Sequence, residues 1–250
     1  MAVSKAGRTA ARRAAAVAAT ALIAVSASAC GSGDGGGTAG GPGKSGASAP
    51  AAQAPPAGGA RLAGVPAAVR GGVITVGDPK APHTVKVYED ARCPFCAKFE
   101  ESGARALVGP VADGKVKVEY TIASFLDKNL GGSGSAHAAN ALRASVEAGK
   151  FPQFHAAVFA NQPQDESDDV YTPAFLLRIA DKVDGLRGAA FDKAVKGGTY
   201  EKWLGEAMKS FGADGVQGTP TVLVDGEKPG NNSLFDQAEF AAELKSAGIS

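Results

Sequence analysis

At Cys93 the chain changes its hydrophobic period from two residues to nearly four. Before it, Val85 and Val87 alternate with His83, Thr84 and Lys86 up to Tyr88, the pattern of a half-buried strand. From Pro94 the pattern is helical: Phe95 and Phe99 stand four apart, Leu107 continues the stripe, and Gly109-Pro110 stops it. Val116, Val118 and Tyr120 then alternate with Lys117, Glu119 and Thr121. Strand, helix and strand in this order form the crossover unit of a parallel pair, so the expected class is α/β.

The rest of the chain extends that unit. Val73 to Val76 reads as a short strand closed by Gly77-Asp78-Pro79, and Thr221 to Val224 as another, turned by Asp225-Gly226. Between them the periodicity is helical over Ala136 to Ala148, Phe151 to Ala160, Pro173 to Val183, Leu186 to Lys196 and Tyr200 to Phe211. Gly149, Pro163, Gly185 and Gly197-Gly198 punctuate these stretches. An amphipathic helix over Gln237 to Ser246 closes the chain. The expected layout is a sheet unit interrupted by an all-helical insertion at about 131–211.

The N-terminal part cannot join a core. Lys5, Arg8, Arg12 and Arg13 precede Ala14 to Ala29, a mostly apolar run of small residues shorter than the ~20 needed to span a bilayer. Residues 1–29 therefore read as a signal peptide. Arg12-Arg13 would suit the twin-arginine route, but Ala follows where a bulkier residue is expected. Ala27-Ser28-Ala29 fits ordinary cleavage, whereas Ser28-Ala29-Cys30-Gly31-Ser32 resembles a bacterial lipoprotein box, departing from it at Ala27. Gly31 to Ala60 contains no Val, Ile, Leu, Met or aromatic residue, and its only charges are Asp34 and Lys44. Such a segment is a linker with an r.m.s. reach of about 30 Å. A tether implies an anchor, so the expectation is a lipoprotein lipidated at Cys30 and held on the outer face of the cell membrane. The alternative is a soluble secreted protein. Residues 61–250 remain as the folded domain, about 190 residues.

Charge and cysteine content narrow the chemistry. With 26 basic and 25 acidic residues the net charge is +1, which gives no footprint for nucleic acid. Three cysteines are too few for a disulfide scaffold. If a helix begins at Pro94, Cys93 is its N-cap and Pro stands where its missing N–H costs nothing. The Cys93 sulfur then faces unpaired N–H groups and the positive end of the helix dipole, both of which favour the thiolate. Cys96 lies one turn along, close enough to form a disulfide whose small ring would be a poor structural staple. Arg92 would stabilise the thiolate further, while Glu89, Asp90, Glu100 and Glu101 would oppose it. A zinc site needs four ligands; no second Cys pair exists, and His83, His137 and His155 lack ligand spacing, so neither metal nor cofactor is expected. A static disulfide in a binding lipoprotein remains as an alternative to redox chemistry.

Glu89-Asp90-Ala91-Arg92-Cys93-Pro94-Phe95-Cys96 after a Val-rich strand resembles the DsbA-like branch of the thioredoxin superfamily. Gly218-Thr219-Pro220-Thr221-Val222-Leu223-Val224-Asp225-Gly226 is similar to the cis-proline segment of that superfamily, and Ser135 to Pro163, with Phe151, Phe154 and His155, to its helical insertion. The resemblance spans about Val73 to Ile249. It implies a thioredoxin fold with the insertion between the β-α-β half and the cis-Pro strand half. It further implies that Pro220 is cis beside a redox-active Cys93–Cys96 disulfide, that the Thr219 backbone pairs with an extended substrate, and that Pro94 and Phe95 support the site.

Two positions depart from the family pattern: Val87 stands where a buried carboxylate is common, and Phe95 where strongly oxidising members carry His. Direction therefore stays open between an oxidase, which would need a membrane redox partner and Cys-containing exported substrates, and a reductase or isomerase. Other features read as structural: Asp165 to Asp169 as a solvated loop, His137 and His155 as helix residues, and Trp203 as core.

Overall fold

A computed structural model describes residues 50–230 and 232–249. The signal segment, Cys30 and the linker up to residue 49 lie outside the described residues. Residues 50–60, expected to be the end of the linker, lie instead against the domain. Ala52 packs on the core, the Gln53 N–H donates to Asn161 Oδ1 at 2.7 Å, and Asn161 Nδ2 donates back to Gln53 O at 3.0 Å. A short helix follows, α1 (Ala57–Arg61), in which a Cβ on Gly59 would come within 3.3 Å of Ala156. Small residues pack here by close backbone approach, which a hydrophobic pattern does not register.

The sheet contains β1 (Ala67–Arg70), β2 (Val73–Val76), β3 (His83–Asp90), β4 (Val116–Ala123) and β5 (Thr221–Val224), in the order β1-β2-β4-β3-β5. β3 and β4 are parallel, with Val85 opposite Val118 and Asp90 opposite Ala123; the other pairs are antiparallel. The two central strands thus finish together, just before Cys93. β3 extends beyond Tyr88 to Asp90, and its last four residues are all buried, as in a strand covered on both faces. β1 was not expected: it carries one large apolar residue, Val69, and is a strand because it pairs along β2.

From β3 to β4 the chain runs through α2 (Pro94–Glu101), a 3-10 turn (Gly103–Leu107) and α3 (Val108–Ala112). The single helix expected from Pro94 to Leu107 is broken at Gly103, where a Cβ would lie 2.3 Å from the Leu234 carbonyl oxygen. Gly109-Pro110, expected as a stop, lies in the first turn of α3, where a backbone N–H has no helical partner to lose. The helical insertion comprises α4 (Phe125–Leu130), α5 (Gly134–Glu147), α6 (Phe151–Ala160), α7 (Pro173–Ala180), α8 (Ala189–Gly197) and α9 (Glu201–Ala213), so it begins at Phe125 rather than near 131. α10 (Gln237–Ser246) is capped by the Asp236 carboxylate, which accepts from the N–H groups of Ala238 and Glu239.

One core joins sheet and insertion, with Val87, Ile122, Leu142, Phe154, Leu176 and Phe240 among its buried members. Trp203 belongs to it. Among the described residues no helix is long and apolar enough to cross a membrane.

Candidate active site

Cys93 is the N-cap of α2, in extended conformation, with Pro94 in the first turn. Its carbonyl accepts from the N–H groups of Cys96 at 3.0 Å and Ala97 at 3.2 Å, which closes the first turn. A second clamp comes from Gln162, whose Nε2 donates to Ala91 O at 2.8 Å and to Cys93 O at 3.0 Å. Gln162 follows α6 and is about 70 positions away in sequence, and no local pattern marks it.

Both cysteines are free thiols in this structure. Cys96 is fully buried, whereas Cys93 retains 6% of its surface beside the exposed Pro94 and Phe95. The Cys93 thiol donates to the Thr219 carbonyl at 3.2 Å, and the Thr219–Pro220 peptide bond is cis. The structure therefore brings Cys93, Cys96 and Thr219 together, with Pro94, Phe95 and Pro220 directly around them. Phe95 is 60% exposed and rests one side of its ring on Phe235, with centroids 6.0 Å apart. Phe95 and Phe99 consequently do not share the buried stripe expected of them; only Phe99 is buried. Beside Thr219 and Pro220, residues 214–221 line a surface depression of about 340 Å³.

The two sulfurs are electrostatically unlike. A hydrogen bond from the Cys96 side chain does most to lower the Cys93 pKa, to about 6, against the opposing effect of burial. The Thr219 side chain and the backbone N–H groups of Cys96 and Phe95 add to the lowering. The Thr219 hydroxyl is buried and without a fixed hydrogen-bond partner, so it can turn toward a Cys93 thiolate. Burial pushes Cys96 the other way, well above the ordinary thiol range, and the charges of Cys93 and Glu89 reinforce it. One thiol is thus poised to ionise near neutrality and its neighbour is held protonated.

Arg92 does not take part in this. Its side chain is fully buried and turned away from the sulfurs, donating to Asp127 Oδ1 at 3.0 Å, Gly131 O at 2.7 Å and Glu166 O at 3.0 and 3.2 Å. Arg92 therefore ties the 165–169 loop to α4 instead of stabilising the thiolate, and that loop is anchored rather than simply solvated. Asp90 is equally structural: it accepts from Ser135 Oγ at 2.6 Å, Arg92 N at 3.0 Å and Leu126 N at 3.2 Å. Burial nevertheless raises its pKa to about 6.

A third group lies beneath the site. His155 Nε2 is 2.5 Å from Glu89 Oε1, and Nδ1 is 3.8 Å from Glu100 Oε2. Burial opposes a charge on His155, but the two carboxylates outweigh it and hold its pKa above the ordinary imidazole value. Burial pushes Glu100 up as well, with His155 opposing and Glu89 adding to the rise. Among the described residues these three are the group whose ligand atoms gather within 4.8 Å. The carboxylates face opposite nitrogens of one ring, however. That arrangement suits two N–H···O contacts.

Comparison with known proteins agrees with this geometry. A family model described as Thioredoxin matches residues 70–243. The disulfide bond oxidoreductase DsbG of Mycobacterium tuberculosis, in its reduced form, is 27% identical with a TM-score of 0.52, covering 61% of this chain and 74% of that one. MdbA, a thiol-disulfide oxidoreductase from Actinomyces oris, is 25% identical with a TM-score of 0.58, covering 72% and 92%. The serine/threonine-protein kinase PknE of M. tuberculosis is 28% identical over 158 residues, 60% of this chain. The match spans only 28% of that kinase's length.

Proposed function

Since the chain belongs to the thioredoxin family, we propose that it is an extracytoplasmic protein thiol–disulfide oxidoreductase that acts through Cys93 and Cys96, as an oxidase of exported proteins. The observation that carries the reading is the split between the sulfurs: the pKa of Cys93, at the lip of the surface, is lowered to about 6, while Cys96 is buried and pushed up. A stabilised Cys93 thiolate favours the reduced pair, which is the property of an oxidant.

In the oxidised protein a substrate thiolate attacks the Cys93 sulfur, the Cys93–Cys96 bond breaks, and Cys96 leaves with the electron pair. A second thiolate of the substrate then attacks its own sulfur in the mixed disulfide, and Cys93 leaves as its stable thiolate. On the outer edge of β5 Val224 pairs with Glu227, and the stretch from Thr221 to Leu223 before it leaves an extended substrate segment backbone partners beside Thr219. A membrane redox partner would reoxidise the pair. Lipidation of Cys30, with the segment up to residue 49 as tether, would keep the domain at the outer face of the membrane.

The test is oxidative refolding of a reduced, unfolded secreted protein by the oxidised full chain. Native disulfides should form in step with loss of the Cys93–Cys96 bond, and Cys93→Ser and Cys96→Ser, neither of which can carry that bond, should both be inert. Reduction of insulin without oxidation of the refolding substrate would assign the reductase direction instead.

A further inference from the structure

The Cys93–Pro94 peptide group has no N–H, so the carbonyl of Cys93 is its one polar handle. That carbonyl accepts from Cys96 N and Ala97 N within α2, and from Gln162 Nε2, which reaches it from outside the helix at 3.0 Å. The same Gln162 nitrogen donates to Ala91 O at 2.8 Å. Both acceptors are carbonyls, which identifies the nitrogen as the inward atom of the amide. Gln162 therefore spans the turn from β3 into α2 and pins the peptide planes after Ala91 and after Cys93. The second plane sets ψ of Cys93, 117°. With it is set where the sulfur stands relative to the N–H groups of Phe95 and Cys96.

Gln162 is itself held in place. Phe159, in the last turn of α6, packs on Cys93, Cys96 and Ala97, and its carbonyl accepts from Gln162 N at 3.2 Å. Asn161, next to Gln162, is buried and caps the end of α6, its Nδ2 donating to the Ala157 carbonyl at 2.7 Å. Asn161 also meets both backbone groups of Gln53, accepting from its N–H at 2.7 Å and donating to its carbonyl at 3.0 Å, as a neighbouring strand would. Further along, Gly59 of α1 is so close to the same helix that a Cβ would lie 3.3 Å from Ala156 and 3.7 Å from Gln153. The segment 50–62 is thus fastened along α6, and its grip on Asn161 is one residue away from the side chain that clamps the reactive cysteine.

We propose that Gln162 is a positioning residue for Cys93, and that the segment 50–62 holds Gln162 in place by binding Asn161. This rests on the disulfide-exchange reading above. Gln162 touches no reacting atom; it acts through the Cys93 backbone, keeping the sulfur against the N–H groups that support its thiolate. When the clamp is loosened the thiolate loses part of that support, and the reduced pair becomes easier to oxidise. The titratable group facing the sulfur is Cys96 of α2. Thr219 before β5, Phe159 of α6 and Gln162 after it carry no charge, and the Arg92 guanidinium is turned away toward Asp127. On α2, Lys98 lies over the Phe235 ring and Glu100 beside His155. A displaced pH profile of Cys93 in a variant that adds no charge therefore reports the placement of the sulfur.

The experiment measures the rate of iodoacetamide labelling of Cys93 against pH in the reduced full chain, for the wild type, Gln162→Met and Gln53→Pro. Met keeps the length of the side chain and lacks the donor. Pro removes the backbone N–H that Asn161 accepts, at an exposed residue. In Gln162→Met the midpoint should rise by about half a pH unit, as expected for partial loss of one hydrogen bond's support. Two electrons pass from the pair to oxidised glutathione, releasing two glutathione thiols, and this equilibrium at pH 7 should shift about 3-fold toward the protein disulfide. Gln53→Pro should move both readouts in the same direction, by less. A merely structural role would weaken either variant in a denaturation curve and leave the pH midpoint of Cys93 where it is, and that result overturns the proposal. A midpoint that rises in Gln162→Met and stays unchanged in Gln53→Pro overturns the part given to the segment 50–62. Should Gln162→Met not fold, Gln53→Pro decides alone, and an unchanged midpoint overturns the proposal. A wild-type Cys93 that titrates but never exchanges with glutathione would remove the disulfide-exchange reading, while the midpoints still decide the role of Gln162.

Discussion

The Cys93 sulfur lies 3.2 Å from the carbonyl oxygen of Thr219, a residue 126 positions further along the chain. The contact joins the two halves of the sheet at one point: the helix N-terminus that follows β3, and the cis peptide that precedes β5. On the proposed function, an extended peptide lying along β5 would thereby be delivered to Cys93.

Arg92 precedes the reactive cysteine but serves the fold. Its guanidinium is buried among Asp127, two loop carbonyls and Gly131 O, so Arg92→Met leaves a carboxylate and several carbonyls without their partner. Stability should fall by about 3–5 kcal/mol in a chemical denaturation curve. The pH midpoint of Cys93 alkylation in the folded variant should stay where it is. A midpoint displaced upward would show that Arg92 acts on the sulfur after all.

Redox state and stability are linked through pH. Cys93 is an acid whose folded pKa, about 6, lies below the 9.0 of a free thiol. Its ionisation stabilises the reduced fold above that ordinary value, and the contribution is lost as pH falls through about 6. The oxidised form has no thiol at this position. Cys96 is displaced in the other direction and acts only above the ordinary thiol value. The melting temperature of the reduced chain relative to the oxidised one should therefore rise between pH 6 and pH 9. A difference that stays constant over that range would contradict the assignment.

Phe95 offers an aromatic face next to Cys93 without contributing to the core. Phe95→Ala should weaken peptide substrates, raising KM by roughly 5- to 30-fold, as expected for about 1–2 kcal/mol of lost aromatic contact. Reactivity of Cys93 toward a small alkylating agent should not change. If small and large reagents lose reactivity equally, Phe95 acts on the sulfur and not on the substrate.

Much of this site was legible from local pattern. The shift of period at Cys93, the N-cap geometry with Pro94, and a strand opening at Pro220 all reside in contiguous residues, and the structure places them as expected. The failures share one cause, which is dependence on a distant segment. Arg92 reads in sequence as a stabiliser of the thiolate, but the 165–169 loop holds its guanidinium elsewhere. The helix break at Gly103 is set by the Leu234 carbonyl, and the Cys93 carbonyl is clamped by Gln162. Glu89, Glu100 and His155 belong to three elements and meet only when α2 and α6 pack over β3. His155, read as a helix residue, lies at the centre of that group.

The central claim is that Cys93 is ionised at neutral pH because Cys96, Thr219 and the first turn of α2 hold its thiolate. It is tested most directly by the rate of iodoacetamide labelling of Cys93 in the reduced chain as a function of pH. The rate should reach half its maximum near pH 6 and level off by about pH 7, with the midpoint moving upward in Cys96→Ala. A rate still climbing through pH 8 and 9, as for an unstructured thiol, would contradict the account.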